Sequence, residues 1–169
     1  WPHNRGGAIL GPVACSKTRT IGKSGGTAVN AIVQPGKFSA IGGKFPFLRI
    51  LVVDDEVLIR WSLVQTLSDQ GYQTEEARDG ATAVRAVAEA SPPFDVALLD
   101  LRLPDSNDLT LLSRLRQLSP RTQFILMTAF GTTEVVQGAL DMGAFRVVAK
   151  PLDMNDVASL VVRAHAAVA

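Results

Sequence analysis

The sequence from residue 49 onward predicts an α/β fold in which a parallel β-sheet is covered by helices on both faces. Two observations lead to this prediction. Short apolar runs alternate with amphipathic segments of helical length, and conspicuous polar residues fall where the apolar runs end. Strands separated by helices usually pair in parallel, and a parallel sheet is buried on both sides. The expected architecture is therefore a three-layer sandwich.

Five runs are the predicted strands. They are RILVV at 49–53, YQTEEA at 72–77, FDVALL at 94–99, TQFILM at 122–127 and AFRVVA at 144–149. Runs that are apolar at nearly every position fit central strands, because such strands are buried on both faces. The run at 72–77 has polar residues at alternate positions, so it fits an edge of the sheet.

The segments between the runs show the periodicity of amphipathic helices. The predicted apolar face of the first helix consists of Val57, Trp61, Val64 and Leu67, and that of the third consists of Leu111, Leu112, Leu115 and Leu118. Gly71 ends the first helix and Pro120 ends the third, because glycine favours a helix C-terminus and proline cannot continue a helix.

Capping residues mark the other three helices. Asp79, Thr132 and Asp153 have side-chain oxygens suited to cap the second, fourth and fifth helices. Gly143 closes the fourth helix. The chain thus predicts five helices as well as five strands.

Residues 1–48 differ from the rest of the chain in charge. They hold six Lys or Arg and no Asp or Glu, whereas residues 49–169 hold eleven Lys or Arg and sixteen acids. The early part is also glycine-rich and lacks sustained periodicity, which is typical of a flexible segment. We interpret residues 1–47 as a flexible basic leader, disordered or non-native, and residues 48–169 as one folded domain. Because the chain opens with Trp1, we expect a fragment of a longer protein.

The remaining composition excludes other classes of protein. Cys15 is the only cysteine, so the chain can form neither an internal disulfide nor a thiolate metal site. No apolar run reaches the roughly eighteen residues that a membrane span needs. A soluble protein of the cytoplasm is expected.

Five polar side chains stand at the carboxyl ends of the predicted strands. Asp54 and Asp55 follow the first strand, Asp100 the third, Thr128 the fourth and Lys150 the fifth. In open parallel sheets the ligand crevice lies at these ends, beside the point where the strand order reverses. In the order 2-1-3-4-5 of a flavodoxin-like (βα)5 sandwich, that point separates strands 1 and 3. The three aspartates are therefore expected to converge there, with Thr128 and Lys150 on the rim.

Three carboxylates in one crevice imply a bound cation. They cannot all be ionised near neutral pH without a large mutual penalty unless positive charge lies among them. Mg²⁺ is the natural candidate, because it is a hard ion that binds carboxylate oxygens and keeps water molecules that a phosphate can displace. The hypothesis is a magnesium site assisted by Lys150.

This set of groups suits phosphoryl transfer. A carboxylate can attack phosphorus to form an aspartyl phosphate, and the transfer needs mainly in-line positioning and charge neutralisation. A metal ion, the Lys150 ammonium and the Thr128 hydroxyl can supply these. Asp100 is the best-placed acceptor, because it is central and lies beside the acidic pair that follows strand 1. Glu56 is interpreted as a first-turn acid of helix 1, favoured by the helix dipole, rather than as a ligand.

In its motifs the sequence resembles the receiver domain of two-component response regulators. The resemblance covers about residues 48–168 and rests on VVDDE at 52–56, LLDLRLPD at 98–105, Thr128 and Lys150-Pro151. The segment MTAFGTTEVVQGALDMGAFRVVAKP is similar to receivers of transcriptional activators of the nitrogen-regulation type. Several motifs in the right order make the resemblance specific.

The resemblance implies a role for each matching residue of the acidic site. Asp55 is implied to bind Mg²⁺ directly, Asp54 to act through water, and Asp100 to be both phosphoacceptor and metal ligand. The backbone carbonyl of Arg102 completes the implied metal site. Slow self-catalysed phosphoryl transfer and dephosphorylation are the only catalysis that the resemblance implies.

Other matches concern the switch of the family. Thr128 matches the switch hydroxyl, Ala129 the small residue beside it, and Lys150-Pro151 a pair whose peptide bond is usually cis. Position 147 carries Val where the family usually has Tyr or Phe. The rotating ring that reports the state of the switch hydroxyl is therefore missing from this chain.

Three functions compete. The first is a receiver that takes a phosphoryl group from a histidine kinase or a phosphotransfer protein. The second is a degenerate receiver that acts as an interaction module without phosphorylation, for which Val147 is the sole indication. The third is a metal-dependent phosphatase with an aspartate nucleophile, of the haloacid dehalogenase class. That class has Asp-x-Asp after strand 1, whereas this chain has adjacent Asp54 and Asp55.

The receiver function implies particular partners. Phosphorylation would move the loop between strand 4 and helix 4 and bias a surface formed by helix 4, strand 5 and helix 5. Family members often form homodimers through this surface. Direct binding of nucleic acid by this fragment is not expected, because the sequence offers no basic groove.

Overall fold

The computed structural model describes residues 48–167, in which five strands alternate with five helices. The strands are Arg49–Val53 (β1), Gln73–Ala77 (β2), Val96–Asp100 (β3), Gln123–Thr128 (β4) and Arg146–Ala149 (β5). The helices are Val57–Asp69 (α1), Gly80–Glu89 (α2), Thr110–Leu118 (α3), Thr133–Asp141 (α4) and Met154–Ala166 (α5). The predicted leader at residues 1–47 lies outside the described residues. None of helices α1 to α5 combines the length and apolar character that crossing a bilayer requires.

The five strands form one parallel sheet in the order β2-β1-β3-β4-β5. This confirms the predicted fold class, including the edge position of β2. The predicted strand bounds differ from the observed ones by up to two residues. The most useful difference is at β3, where Asp100 belongs to the strand and pairs with Met127 instead of following the strand end. The carboxyl end of β3 therefore carries its own acidic side chain.

The alternation of side chains along each strand divides the core into two layers. Leu51 and Val53 of β1 pack with buried side chains of α2, α3 and α4 on one face of the sheet. Ile50 and Val52 of the same strand pack with α1 and α5 on the other face. Successive strand residues point to opposite faces, so a strand buried on both sides must be apolar throughout. The two layers fix the sheet between helices and hold its carboxyl edge in place.

The predicted inward face of α1 is partly wrong. Val57 and Trp61 are 65% and 62% exposed, while Leu63 and Leu67 are buried against the sheet. Apolar residues occur on nearly every side of this helix, so their spacing alone does not determine which side packs. In α3 the difference is smaller, since Leu118 at the last turn is 46% exposed while the other three predicted leucines are buried.

The predicted helix ends are confirmed. Asp79 accepts a hydrogen bond from the backbone N–H of Thr82 at 2.7 Å, and Asp153 accepts one from the N–H of Asn155 at 2.8 Å. Thr132 caps α4 in the same way. After α4, Gly143 adopts φ +85°, a left-handed conformation that glycine adopts without strain. Side-chain chemistry at the ends thus sets where these helices begin and stop.

Candidate functional site

Three carboxylates meet where β1 and β3 end. These strands are neighbours, with Val53 paired to Leu99, so the residues that follow them lie side by side. Carboxylate oxygens of Asp54, Asp55 and Asp100 lie within 4.8 Å of one another. Asp54 and Asp100 are buried, whereas Asp55 is exposed at the mouth of the crevice. The structure therefore brings together the three acids that the sequence places at strand ends.

Lys150 lies among these acids after β5. Its Nζ is 2.7 Å from Oδ2 of Asp100 and 2.9 Å from Oδ2 of Asp54. It is also 3.2 Å from Oε1 of Glu56. The side chain of Lys150 is only 9% exposed, and its ammonium lies among carboxylates. One cation is shared by three acids.

The third of these acids, Glu56, belongs to the site, although the sequence interpretation treats it only as a first-turn acid of helix 1. It occupies the N-cap position of α1, but its side chain makes no capping hydrogen bond. Its carboxylate turns instead toward Lys150. A signal for this was present in the sequence, because Glu56 directly follows the acidic pair Asp54 and Asp55.

Both carboxylate oxygens of Asp54 have a partner. Its Oδ1 accepts a hydrogen bond from the backbone N–H of Glu56 at 2.9 Å. Its Oδ2 is buried and is paired with the ammonium of Lys150, whose Nζ lies 2.9 Å away. Burial raises the pKa of Asp54 and outweighs the opposing effect of Lys150. This carboxylate is therefore costly to keep charged.

The electrostatics of Lys150 have the opposite sign. Burial favours its neutral form, but hydrogen bonds and charge from Asp100 and Asp54 prevail and raise its pKa above the ordinary value. Lys150 is therefore a permanent cation at neutral pH. With its charge counted, the four acids of the crevice still leave an excess of negative charge.

The donor set fits a hard divalent cation. Carboxylate oxygens are the ligands that Mg²⁺ prefers, and oxygens of three aspartates lie within 4.8 Å of one another here. The single ammonium cannot neutralise three aspartates. The residues present are thus compatible with the magnesium ion that the sequence suggests.

Asp100 is oriented by its own strand end and by Lys150. Its Oδ1 accepts the backbone N–H of Arg102 at 3.0 Å, and its Oδ2 accepts a hydrogen bond from Lys150. The loop that begins here is anchored further along by Asp105, whose carboxylate accepts the N–H groups of Gly80 and Ala81, each at 2.8 Å. This anchor joins the β3–α3 loop to the start of α2. Sequence spacing gave no indication of it.

Thr128 ends β4 next to this group and is 2% exposed. Its hydroxyl oxygen accepts the backbone N–H of Phe130 at 3.1 Å, and its carbonyl accepts the N–H of Lys150 at 2.8 Å. Ala129 is exposed beside it. The Thr128 side chain thus lies on the same edge as the acids and is tied to both following segments.

The remaining predicted switch residues lie on or after β5. Val147 pairs with Leu126 and packs, half-buried, against the α2–α3–α4 side of the core. The Lys150-Pro151 peptide bond is cis, as the resemblance implies. Phe145 packs on the opposite side of the sheet, with α1 and α5. No aromatic ring therefore takes the place of position 147 within β5.

Comparison with known proteins agrees with this geometry. Residues 50–162 match the response regulator receiver domain family. The chain is 40% identical over 116 residues to Regulatory protein AtoC of Escherichia coli K12, covering 69% of this chain and 25% of AtoC. It is 36% identical over 115 residues to the DNA-binding transcriptional regulator NtrC of the same strain, covering 68% of this chain and 24% of NtrC.

A solved structure extends the likeness to three dimensions. A CheY-like response regulator receiver domain protein from Methanospirillum hungatei JF-1 aligns with a TM-score of 0.68 and 28% identity, over 72% of this chain and 95% of that chain. The match to NtrC confirms the predicted likeness to nitrogen-regulation-type regulators. The chain spans about a quarter of the length of AtoC and NtrC.

The match over most of the folded residues and the shared strand order lead to one conclusion. The chain belongs to the response regulator receiver domain family, whose members are modules of phosphorelay signalling.

Proposed function

We propose that Asp100 accepts a phosphoryl group in a magnesium-dependent reaction and that the domain passes this change to a partner. The observation that carries the proposal is the convergence of Asp100 with two further aspartates and with Lys150. These side chains come from the ends of three strands, β1, β3 and β5, and their combined chemistry suits an aspartyl phosphate. Membership of the receiver family supports the same function.

In the proposed reaction a carboxylate oxygen of Asp100 attacks the phosphorus of a phosphohistidine. The new O–P bond forms as the P–N bond breaks, and the imidazole nitrogen leaves with the electron pair. Lys150, which already donates to Asp100, remains beside the transferred group and balances its negative charge. Thr128 offers the hydroxyl that can donate a hydrogen bond to a phosphoryl oxygen. The same groups would support only slow self-catalysed transfer from small donors and slow hydrolysis.

The proposed metal ligands are Asp55 directly, Asp54 through water, Asp100 and the backbone carbonyl of Arg102. When bound, Mg²⁺ supplies neutralisation of the charge on the phosphoryl oxygens. The exposed position of Asp55 at the mouth and the buried position of Asp54 support this division between the two acids. Lys150 holds Asp54 and Asp100 in position from the β5 side.

The proposed output starts at Thr128. If its hydroxyl turns toward the phosphoryl group, the hydrogen bond from the N–H of Phe130 must lengthen or the β4–α4 loop must follow. That displacement would bias the surface of α4, β5 and α5. Three exposed apolar side chains support a docking role for this region, namely Leu140, Met142 and Val162. Homodimerisation through it is the proposed consequence.

The proposed donors are a histidine kinase or a phosphotransfer protein. NtrC is by name a DNA-binding transcriptional regulator, and this chain corresponds to about a quarter of its length. We therefore propose that the receiver controls a separate effector. The degenerate-receiver alternative gains support only from Val147, and it predicts no phosphorylation.

Intact-protein mass spectrometry after incubation with acetyl phosphate tests the proposal. The unsubstituted chain should gain one phosphoryl group with Mg²⁺ and none after chelation. Asp100→Asn should gain none, while Asp108→Asn, an exposed control in the same loop, should react like the unsubstituted chain. Absence of any gain in the unsubstituted chain would favour the degenerate receiver.

A further inference from the structure

Two residues that the proposed mechanism does not use as side chains meet across the mouth of the site. The guanidinium carbon of Arg102 lies 5.1 Å from the centroid of the Phe130 ring, within the distance of a cation–π contact. Arg102 belongs to the β3–α3 loop and Phe130 to the β4–α4 loop. The contact therefore bridges the two loops that follow Asp100 and Thr128.

Both partners are fixed to the site through their backbones. The N–H of Arg102 donates to Asp100, and the N–H of Phe130 donates to Thr128. Gly131, the next residue, turns so tightly that a Cβ there would lie 3.1 Å from the methyl group of Thr128. The stacked pair is thus attached directly to the acceptor and to the adjacent hydroxyl.

Charge distinguishes Arg102 from the other cation of the site. Lys150 is enclosed by three carboxylates, so much of its charge is already balanced. Within residues 48–167, Arg102 takes part in no ion pair. An unpaired guanidinium with a planar array of donors suits the oxygens of a phosphoryl group. Arg102 is therefore free to meet an incoming dianion.

The exposure of Phe130 needs an explanation that the fold does not give. The ring is 69% exposed, yet it lies beside the buried end of β4. A large aromatic side chain at such a place contributes nothing to the core. An arginine can stack on the exposed face of the Phe130 ring. The ring then limits the positions that the long, flexible arginine side chain can adopt.

We infer that the Arg102 side chain binds the phosphoryl group of the incoming donor and that Phe130 is the residue that positions it. This inference rests on the proposed function, since it adds a further group to the same phosphoryl transfer. With acetyl phosphate, Asp100 attacks phosphorus, the P–O bond to the acetyl group breaks, and acetate leaves with the electron pair. Arg102 draws the dianion toward an otherwise acidic crevice, and Phe130 holds the guanidinium at its mouth.

The test is the second-order rate constant for phosphorylation by acetyl phosphate with Mg²⁺ at saturation. Phe130→Leu, which keeps apolar bulk but removes the ring face, should slow the reaction about two- to fivefold, the factor that an exposed cation–π contact provides. Arg102→Ala should slow it at least as much. Phe130→Tyr should react like the unsubstituted chain, and Arg102→Lys should recover part of the rate.

Two readouts separate positioning from a merely structural effect. Phe130→Leu should have no further effect in the Arg102→Ala background, because the ring acts through the guanidinium. The advantage of the unsubstituted chain over Arg102→Ala should shrink as salt rises, because the attraction between exposed charges is screened. Arg121→Ala, which removes an exposed arginine before β4, serves as the control for net charge. It should change neither the rate constant for phosphorylation nor the dependence of that rate constant on salt.

Particular outcomes would overturn the inference. They are an Arg102→Ala rate equal to that of the unsubstituted chain, an undiminished effect of Phe130→Leu in the Arg102→Ala background, or equal slowing by Arg121→Ala. Each of these three outcomes can be measured only if the unsubstituted chain is phosphorylated. A chain that takes up no phosphoryl group at all would instead contradict the proposed function.

Discussion

At the scale of single residues, the crevice concentrates negative charge that the fold alone does not balance. Asp54 is fully buried, it shares the single ammonium of Lys150 with Asp100 and Glu56, and burial raises its pKa. Such an arrangement costs stability in the absence of a second cation. The site thus carries a functional strain of electrostatic origin.

Asp54→Asn should therefore stabilise the protein in metal-free solution at neutral pH. The amide oxygen can still accept the N–H of Glu56, while one of the carboxylates around Lys150 is removed. Urea unfolding with a chelator should give a higher free energy of unfolding for the variant than for the unsubstituted chain. Added Mg²⁺ should stabilise the unsubstituted chain more than the variant, because a ligand stabilises the state that binds it.

Glu89→Gln is the matched control for net charge, since Glu89 is exposed at the end of α2. It should show neither the gain in stability nor the altered response to Mg²⁺. If Asp54→Asn were less stable than the unsubstituted chain without metal, the strain assigned to this carboxylate would be refuted.

Thr128→Ala should separate phosphorylation from its output. The substitution removes the hydroxyl that accepts the N–H of Phe130 but leaves Asp100 and Lys150 in place. We expect phosphorylation to persist within about tenfold of the unsubstituted rate, since one hydrogen bond is lost. Amide exchange in the β4–α4 loop should no longer change on phosphorylation. Thr128→Ser, which restores the hydroxyl, should recover the change, and loss of phosphorylation in the alanine variant would contradict this division of roles.

The residues of the crevice differ in how far sequence could predict them. Asp54, Asp100 and Lys150 follow from strand-end positions, because the carboxyl ends of parallel strands meet at one edge. The stack of Arg102 on Phe130 does not, because it depends on the paths of two loops that are distant in sequence. Side-chain contacts between loops leave no periodic signal.

At the scale of elements, α1 shows the limit of periodicity. Its sequence VLIRWSLVQTLSD is apolar on several sides, and the buried side is set by the sheet rather than by the pattern. In helices α3 and α5 the polar residues lie on one side and the apolar residues on the other, so the sequence pattern indicates which side packs against the sheet. Tertiary packing therefore decides the orientation of α1 where sequence is ambiguous.

Two substitutions in α1 test this orientation. Leu63→Ala removes a buried side chain that lies outside the predicted apolar face and should lower the free energy of unfolding by about 2–5 kcal/mol. Trp61→Ala removes a larger but mostly exposed side chain and should lower it by less than about 1 kcal/mol. Chemical denaturation of both variants measures the contrast. A larger loss for Trp61→Ala would show that the helix packs through the face that its sequence spacing favours.

The start of α2 adds a pH-dependent contribution to stability. Hydrogen bonds from the side chain and backbone of Thr82 lower the pKa of Asp79 below its ordinary value of 3.8. A lowered folded-state pKa means that the stabilisation is present above pH 3.8 and is lost as the pH falls through the folded-state pKa. Asp79→Ala should therefore be less stable than the unsubstituted chain at pH 7, and the difference should shrink toward pH 3. A difference that is constant from pH 7 to pH 3 would contradict the capping role.

At the scale of the whole molecule, the alternation of elements predicts a parallel sheet covered on both faces, whereas the order 2-1-3-4-5 is that of the flavodoxin-like fold. One sheet between two helical layers brings four strand ends to a single edge. The strand order does not determine which surface responds to phosphorylation. In this chain β5 carries Val147 where the family usually has an aromatic residue. We therefore expect the response to travel through the β4–α4 loop, where the N–H of Phe130 donates to the hydroxyl of Thr128.

We propose that Asp100, and no other acid of the crevice, carries the phosphoryl group. Borohydride reduction after incubation with acetyl phosphate and Mg²⁺ converts an acyl phosphate to an alcohol, and peptide mass spectrometry then locates the residue that has become homoserine. We predict homoserine at position 100 alone, and none when Mg²⁺ is chelated. Homoserine at position 54 or 55, or at no position of a chain that is otherwise folded, would contradict the account.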